Sequence, residues 1–290
     1  MYKHFKISAR QKLSAQGFSV SVGAVLLCLG ACAVSHYAAY FIGLIEKLLP
    51  EIHGITYLFL FLKFLIFSAV FLLFSPLLLG AFRVFVLIAR GEKPKLSQVF
   101  YYKGNGLYKS AFIFSFFMML KVYLRALISF IPLMVCILVF LLTPVNNSVD
   151  PLLGTVIISV LAVAGVFLLI FLSASLLYAP VSFTMMPRVS VGNHFRRSKE
   201  ICKNRKAEIV LFFLHFTHWF LLGFFVIPLL WTVPYFLITS VIFSFSLEEK
   251  YNKGYQSGKI SGGIYSQSFP QDKNTIDNSA VRSYNLLQEN

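Results

Sequence analysis

Two pairs of residues in this sequence have the types and spacing to do chemistry. Lys121 and Arg125 stand four apart within a long apolar stretch, so on a helix they share one face. No Asp or Glu lies deep in any apolar stretch to neutralise them. Such a pair suits an anion or phosphate pocket facing the interior of a bundle, or a pair of long side chains snorkelling into lipid headgroups. His215 and His218 stand three apart beside Trp219 and form a candidate intramembrane polar pair. Two imidazoles on one face could ligate a metal or relay protons, but such sites usually need a third or fourth ligand. No carboxylate or cysteine falls at a matching spacing, so packing histidines are the plainer expectation. Arg196, Arg197 and Lys199, within VGNHFRRSKEICKNRK (residues 191–206), supply further candidate contacts for anions or lipid headgroups.

Other chemistry finds little footing. Cys28 and Cys32 are one helical turn apart, Cys136 lies in another apolar stretch and Cys202 in a basic one; small buried apolar side chains are the expected role. The signatures His-Glu-x-x-His and Gly-x-Ser-x-Gly, the Walker loop and the dinucleotide fingerprint are all absent. The expectation is a chain that is not an enzyme and holds no metal and no cofactor.

The elements that must position these residues follow from composition. Of 290 residues, 58% are hydrophobic and 13% charged, with 32 Phe, and mean hydropathy is +0.76. Soluble domains run at about 45–50% apolar and about 25% charged. So few charges cannot screen that much apolar surface from water, and the chain reads as an all-α polytopic membrane helix bundle. Apolar stretches occupy residues 18–45, 57–82, 110–142, 153–178, 209–225 and 227–247, most of them reaching the ~20 residues that cross a hydrocarbon core. The last two are expected to form a tight helix-turn-helix around Pro228 and Pro234.

Formal charge is +15, which on a soluble protein would suggest nucleic acid. Placement points elsewhere. Except for Lys47, Lys63, Lys121 and Arg125, every Lys and Arg falls in the N-terminal segment 1–17, the connections 83–109 and 180–206, or the tail 249–290. Cytoplasmic loops retain such residues. About six spans with both termini cytoplasmic therefore enclose a transmembrane domain at 18–248. The tail, rich in Ser, Gly, Asn and Gln, is expected to be disordered. The expected partners are membrane lipids with anionic headgroups, not nucleic acid.

A basic start followed by Leu29-Gly30-Ala31-Cys32 has the look of a cleavable signal. Apolar character nevertheless continues to Ile45, so an uncleaved first helix is expected. The two long connections also resemble each other. Ser75-Pro76 then Arg83 precede one, Ala179-Pro180 then Arg188 precede the other, and each leads to an apolar stretch ending in Ile-Pro-Leu (Ile131-Pro132-Leu133 and Ile227-Pro228-Leu229). A parallel repeat of the kind some transporters use would give this pattern.

Several strings together resemble a known family. They are Ala9-Arg10-Gln11-Lys12-Leu13, Ser75-Pro76-Leu77-Leu78-Leu79-Gly80 with Arg83, and Ala89-Arg90-Gly91-Glu92-Lys93-Pro94. Further on stand Arg197-Ser198-Lys199-Glu200, Asn204-Arg205-Lys206 and the segment 227–235 (IPLLWTVPY). The resemblance, over residues 5–248, is to uncharacterised bacterial polytopic membrane proteins related to the membrane domain of some glycerophosphoryl diester phosphodiesterases. It implies a six-helix protein of the bacterial plasma membrane, with no assigned activity and no catalytic site. The expected role is contact with lipid or protein; the alternative is a small transporter or export component with a polar site around Lys121 and Arg125.

Overall fold

The computed structural model describes residues 2–47, 55–142, 151–222 and 226–256, and among these every regular element is a helix. In chain order they are α1 (Tyr2–Gln16), α2 (Phe18–Lys47), α3 (Ile55–Leu73), α4 (Ser75–Arg90), α5 (Tyr101–Gly104), α6 (Tyr108–Leu142), α7 (Pro151–Ser173), α8 (Ala179–Met185), α9 (Val191–Cys202), α10 (Lys206–Leu222) and α11 (Val226–Gln256). Short 3-10 turns at Leu96–Phe100 and Ala174–Leu176 lead into α5 and α8.

Four helical segments are long and apolar enough to cross a membrane: Phe18–Leu44, Tyr108–Val139, Gly154–Met185 and Leu230–Gly254. The pair α3 and α4, bent by 52° at Phe74, brings the number to five if it is one span. The remaining apolar stretch is α10, whose 17 residues stop at residues 223–225, outside those described.

Prolines set the breaks. Pro76 and Pro180 sit in the first turns of α4 and α8, where a missing N–H is harmless but a continuing upstream helix is not. The residues that precede those helices have nearly the same backbone: Phe74 at φ −81°, ψ −5° and Tyr178 at φ −81°, ψ −19°. The two stretches thus share a proline-led helix start, but α3 and α4 are bent apart by 52° whereas Gly154–Met185 counts as one span.

Two expectations need correction. The turn expected around Pro228 and Pro234 is not there, because α11 starts at Val226 and runs through both prolines. Pro228 falls in the first turn, where it removes no ladder bond. Pro234 does remove one, and the tightly packed stretch beyond it offsets that loss. Secondly, the tail expected to be disordered from residue 249 continues as helix to Gln256. Lys253 meets Glu249 one turn away at 2.7 Å, and Lys250 meets Glu208 of α10 at 3.1 Å; residues 257–290 lie outside those described. The basic N-terminal segment is itself helical. Helix α1 docks through Ala9 and Leu13, both buried, and Lys12 donates to the carbonyl of Ala89 in the last turn of α4, where the helix dipole favours a cation.

The core sits at the end where the basic segments meet. Helix α4 is buried almost all round, from Ala81 to Ala89, and α11 likewise over Ile238–Ser244. Phe212 of α10 stacks on Phe243 of α11 at 4.5 Å, and Phe5 of α1 meets the same ring at 5.8 Å. Gly80 lets α4 touch the turn Leu96–Phe100 directly: a Cβ there would stand 1.8 Å from the Val99 carbonyl oxygen. By contrast, only 6% of the apolar window of α6, and of α7, is buried by protein. Those two helices pack chiefly on each other, with Gly165 admitting the Phe130 ring.

Candidate functional site

Side-chain bonds tie the basic segments into one surface. Ser110, at the start of α6, donates to the Pro187 carbonyl between α8 and α9 at 3.1 Å. Arg83 of α4 donates to the Thr184 carbonyl of α8 at 3.0 Å and lies 3.8 Å above the Tyr101 ring. The two connections flanking α5 and α9 therefore lie side by side.

Helix α9 is the centre of this surface. The stretch 191–206 is helical only over Val191–Cys202. Its inner stripe is His194, Ser198, Ile201 and Cys202, all buried, which packs on α8 and the turn Ala174–Leu176. The apolar side is thus covered by protein, with the helix lying on α8 rather than inserted on its own into an interface. Ser198 Oγ donates to the Ser175 carbonyl at 2.8 Å. His194 Nδ1 and Ser182 Oγ are 2.9 Å apart, and burial pushes this imidazole's pKa down to about 4. Burial also pushes the Cys202 thiol up to about 11, which suits an unreactive packing residue.

The candidate cations divide by direction. Arg197 turns inward, pairing with Glu248 of α11 and lying 6.0 Å from the Tyr178 ring. Desolvation lowers its pKa, but Tyr178 and the Glu248 carboxylate outweigh that and the net shift is upward, so it stays charged. Arg196 is exposed and reaches Glu200 at 3.4 Å, while Lys199 is exposed. Lys121 approaches from α6, its Nζ 5.1 Å above the Phe195 ring. Arg125 donates from Nη2 to Ser175 Oγ at 3.0 Å, and its Nη1 is buried without a hydrogen-bond partner among the described residues. Lys121 and Arg125 thus meet α9 and the break after α7, and the five cations named from the sequence gather around one helix.

His215 stands apart from this site. His215 is exposed beside Phe216 on α10, and the side chain of His218 lies outside the described residues. No group of three His, Cys, Asp or Glu among the described residues could hold a metal. Lys63, which alone would have to snorkel, pairs with Glu46 of α2. The residues that sequence reasoning passed over are the partners: Glu248, His194 and Ser175. Glu248 carried a faint signal as the first acid after the last apolar stretch; the others carried none, because their roles depend on contacts between distant segments.

Fold and site together define a class: an all-helical protein with four or five helices fit to cross a membrane and a cationic surface built around a short docked helix. The chain belongs to the family described as a protein of unknown function (DUF975), whose model matches residues 1–250. No curated protein and no solved structure matches it. The family match supports no kinship with the phosphodiesterase membrane domain.

Proposed function

We propose that this chain is a six-span protein of a bacterial plasma membrane, with both termini cytoplasmic, and that it works by contact rather than catalysis. Its basic end engages anionic lipid headgroups of the inner leaflet. One observation carries the reading. Every described carboxylate (Glu46, Glu92, Glu200, Glu208, Glu248 and Glu249) is already paired within the protein. Lys93, Lys95, Lys103, Arg188, Lys199 and Lys203 are exposed and form no ion pair among the described residues. Each such cation near an anionic leaflet contributes on the order of 1 kcal/mol. The excess charge is therefore directed outward.

The test is lipid enrichment around the full chain in nanodiscs of mixed phosphatidylcholine and phosphatidylglycerol. Phosphatidylglycerol should be enriched at low salt, and the enrichment should fall as ionic strength rises. Equal occupancy of the two lipids at every salt concentration would remove the proposal.

A second reading, a transport or export component, has one specific observation in its favour. The matching breaks at Phe74-Ser75-Pro76 and Tyr178-Ala179-Pro180 start α4 and α8, and those two helices meet through Arg83. Discontinuous helices from paired repeats are a feature of transporters. Labelling of cysteines placed along α4 and α8 distinguishes the two, since a transport path requires water-soluble reagents to reach them from both sides of the membrane.

A further inference from the structure

We propose that Lys121 and Arg125 hold the phosphate of a single resident phospholipid, whose acyl chain lies along α6; this rests on the lipid-contact reading above and gives it a discrete site. The first argument is the unused donor. Arg125 spends Nη2 on Ser175 Oγ at 3.0 Å, while Nη1 is buried with no partner among the described residues. A buried charged donor left unpaired is costly, and no carboxylate among the described residues is at hand to take it, since those acids are all engaged elsewhere. Lys121, one turn away, meets the face of Phe195 at 5.1 Å and no carboxylate among the described residues. Two cations that share a face and lack an anion fit a phosphate, which accepts from a guanidinium and from an ammonium alike.

The second argument is depth. Helix α6 is continuous over 35 residues, about 52 Å at about 1.5 Å per residue. Measured from its far end at Leu142, Arg125 lies about 25 Å along the axis and Lys121 about 31 Å. The hydrocarbon layer is about 30 Å thick, so the pair stands at its inner rim, where lipid phosphates lie. No folding of residues 111–120 along the interface is needed to bring them there.

The third argument separates a lipid from a free phosphate. Lys121, Ile128 and Val135 recur every seven residues and so run along one side of α6. Ile128 and Val135 are 53% and 54% exposed, and the adjoining Leu124 is 54% exposed. An apolar lane thus leads from the cations toward the far end of the helix. A phosphate ion would use the cations and leave the lane unused; a phospholipid uses both.

The test starts from the full chain purified in detergent and washed at high salt, with bound lipid counted by native mass spectrometry. Phosphatidylglycerol and inorganic phosphate are the added probes. The wild type should retain one phospholipid per chain after the salt wash. Arg125→Gln and Lys121→Gln should each weaken retention about ten- to a hundredfold, the loss expected for one charge-assisted hydrogen bond. Ile128→Gln should weaken it as well, and it leaves both cations intact should the charge variants fold poorly. The double variant Lys199→Gln/Lys203→Gln should lower salt-sensitive enrichment in nanodiscs yet leave the salt-resistant lipid in place. Unchanged retention in Arg125→Gln and Ile128→Gln would overturn the site while leaving the broader lipid reading standing. Displacement of the lipid by inorganic phosphate at matched concentration would also overturn it, by making the site an ion site.

Discussion

Replacing Gly80 with Ala is the sharpest perturbation the fold allows. The added Cβ would lie 1.8 Å from the Val99 carbonyl oxygen, 2.6 Å from its carbonyl carbon and 3.0 Å from its Cα. Real Cβ contacts essentially never fall under 3.0 Å, so α4 and the turn Leu96–Phe100 must part by at least 3.0 − 1.8 = 1.2 Å. The obstacle is backbone, and no rotamer relieves it. Overpacking of this kind costs about 1–3 kcal/mol, occasionally more, and here the upper end applies because α4 is enclosed on every side. The separation also strains Arg83, which spans the gap to Gln98 at 3.4 Å and to the Tyr101 ring. At about 3 kcal/mol the unfolded fraction rises more than a hundredfold. Thermal melts of the full chain in nanodiscs read this directly, with Gly30→Ala as the control, since a Cβ at Gly30 meets nothing within 4 Å. Ala stabilises a helix interior by about 0.5–1 kcal/mol relative to Gly, so the control should melt no lower than the wild type. Equal melting of the two variants would refute the close approach of α4 to that turn.

Four further outcomes follow from the same contacts. Glu248→Gln breaks the pair with Arg197, whose side chains are 18% and 21% exposed. The loss should lie between exposed and buried pairs, at about 1–3 kcal/mol, and exceed that of Glu200→Gln when both are measured by melting. His194 has a pKa lowered from 6.5 to about 4, so the folded state resists a proton that the unfolded chain accepts. Its contribution is complete above pH 6.5 and declines as pH falls toward 4, by up to about 3 kcal/mol; His194→Asn should flatten that part of the stability–pH curve, and an unchanged slope would count against the buried imidazole. A cysteine placed at Lys199, or a reporter fused after Asn290, should be accessible only from the cytoplasm. Hydrogen exchange in detergent should be slowest over residues 238–244 of α11 and faster over 131–139 of α6, because protein covers the first stretch and leaves most of the second bare.

The amount of this that the sequence discloses varies with the range of the interaction. The apolar stretches are legible because hydrophobic length is local, and their described residues are helical apart from the break at Phe74 and the turn after α7. Helix boundaries at Pro76 and Pro180 are legible for the same reason. Pro228 and Pro234 mislead, because a proline marks a helix start as readily as a break and position decides which. The docking of α1 is hidden, since Ala9 and Leu13 look unremarkable until α4 and α11 stand opposite them. Likewise, Lys121 and Arg125 can be found by their spacing, but the partners that fix their environment, Phe195 and Ser175, lie on segments far along the chain. The inner stripe of α9 is only half legible as an apolar side, through Ile201 and Cys202. Two of its four members, His194 and Ser198, are polar, and they are buried because Ser182 and the Ser175 carbonyl receive them.

The uneven packing has a physical cause. In hydrocarbon, helices gain little from hiding apolar side chains against each other, because lipid tails are as apolar as Leu; close approach of small residues and hydrogen bonds must hold them together. Gly165 against Phe130, and Tyr123 beside Ser68 at 3.3 Å, are contacts of that sparse kind. At the basic end apolar burial by protein is far more extensive. There Phe5, Phe212, Phe216 and Phe243 gather, α1 folds back, and the acids are drawn into pairs with Arg197, Arg205 and Lys250. Organisation therefore concentrates at the end where the basic segments meet, and the same packing holds Lys121 against Phe195 and Arg125 against Ser175. A chain held mainly through the bare stretches of α6 and α7 would have no reason to bury α4 and residues 238–244 of α11 so completely.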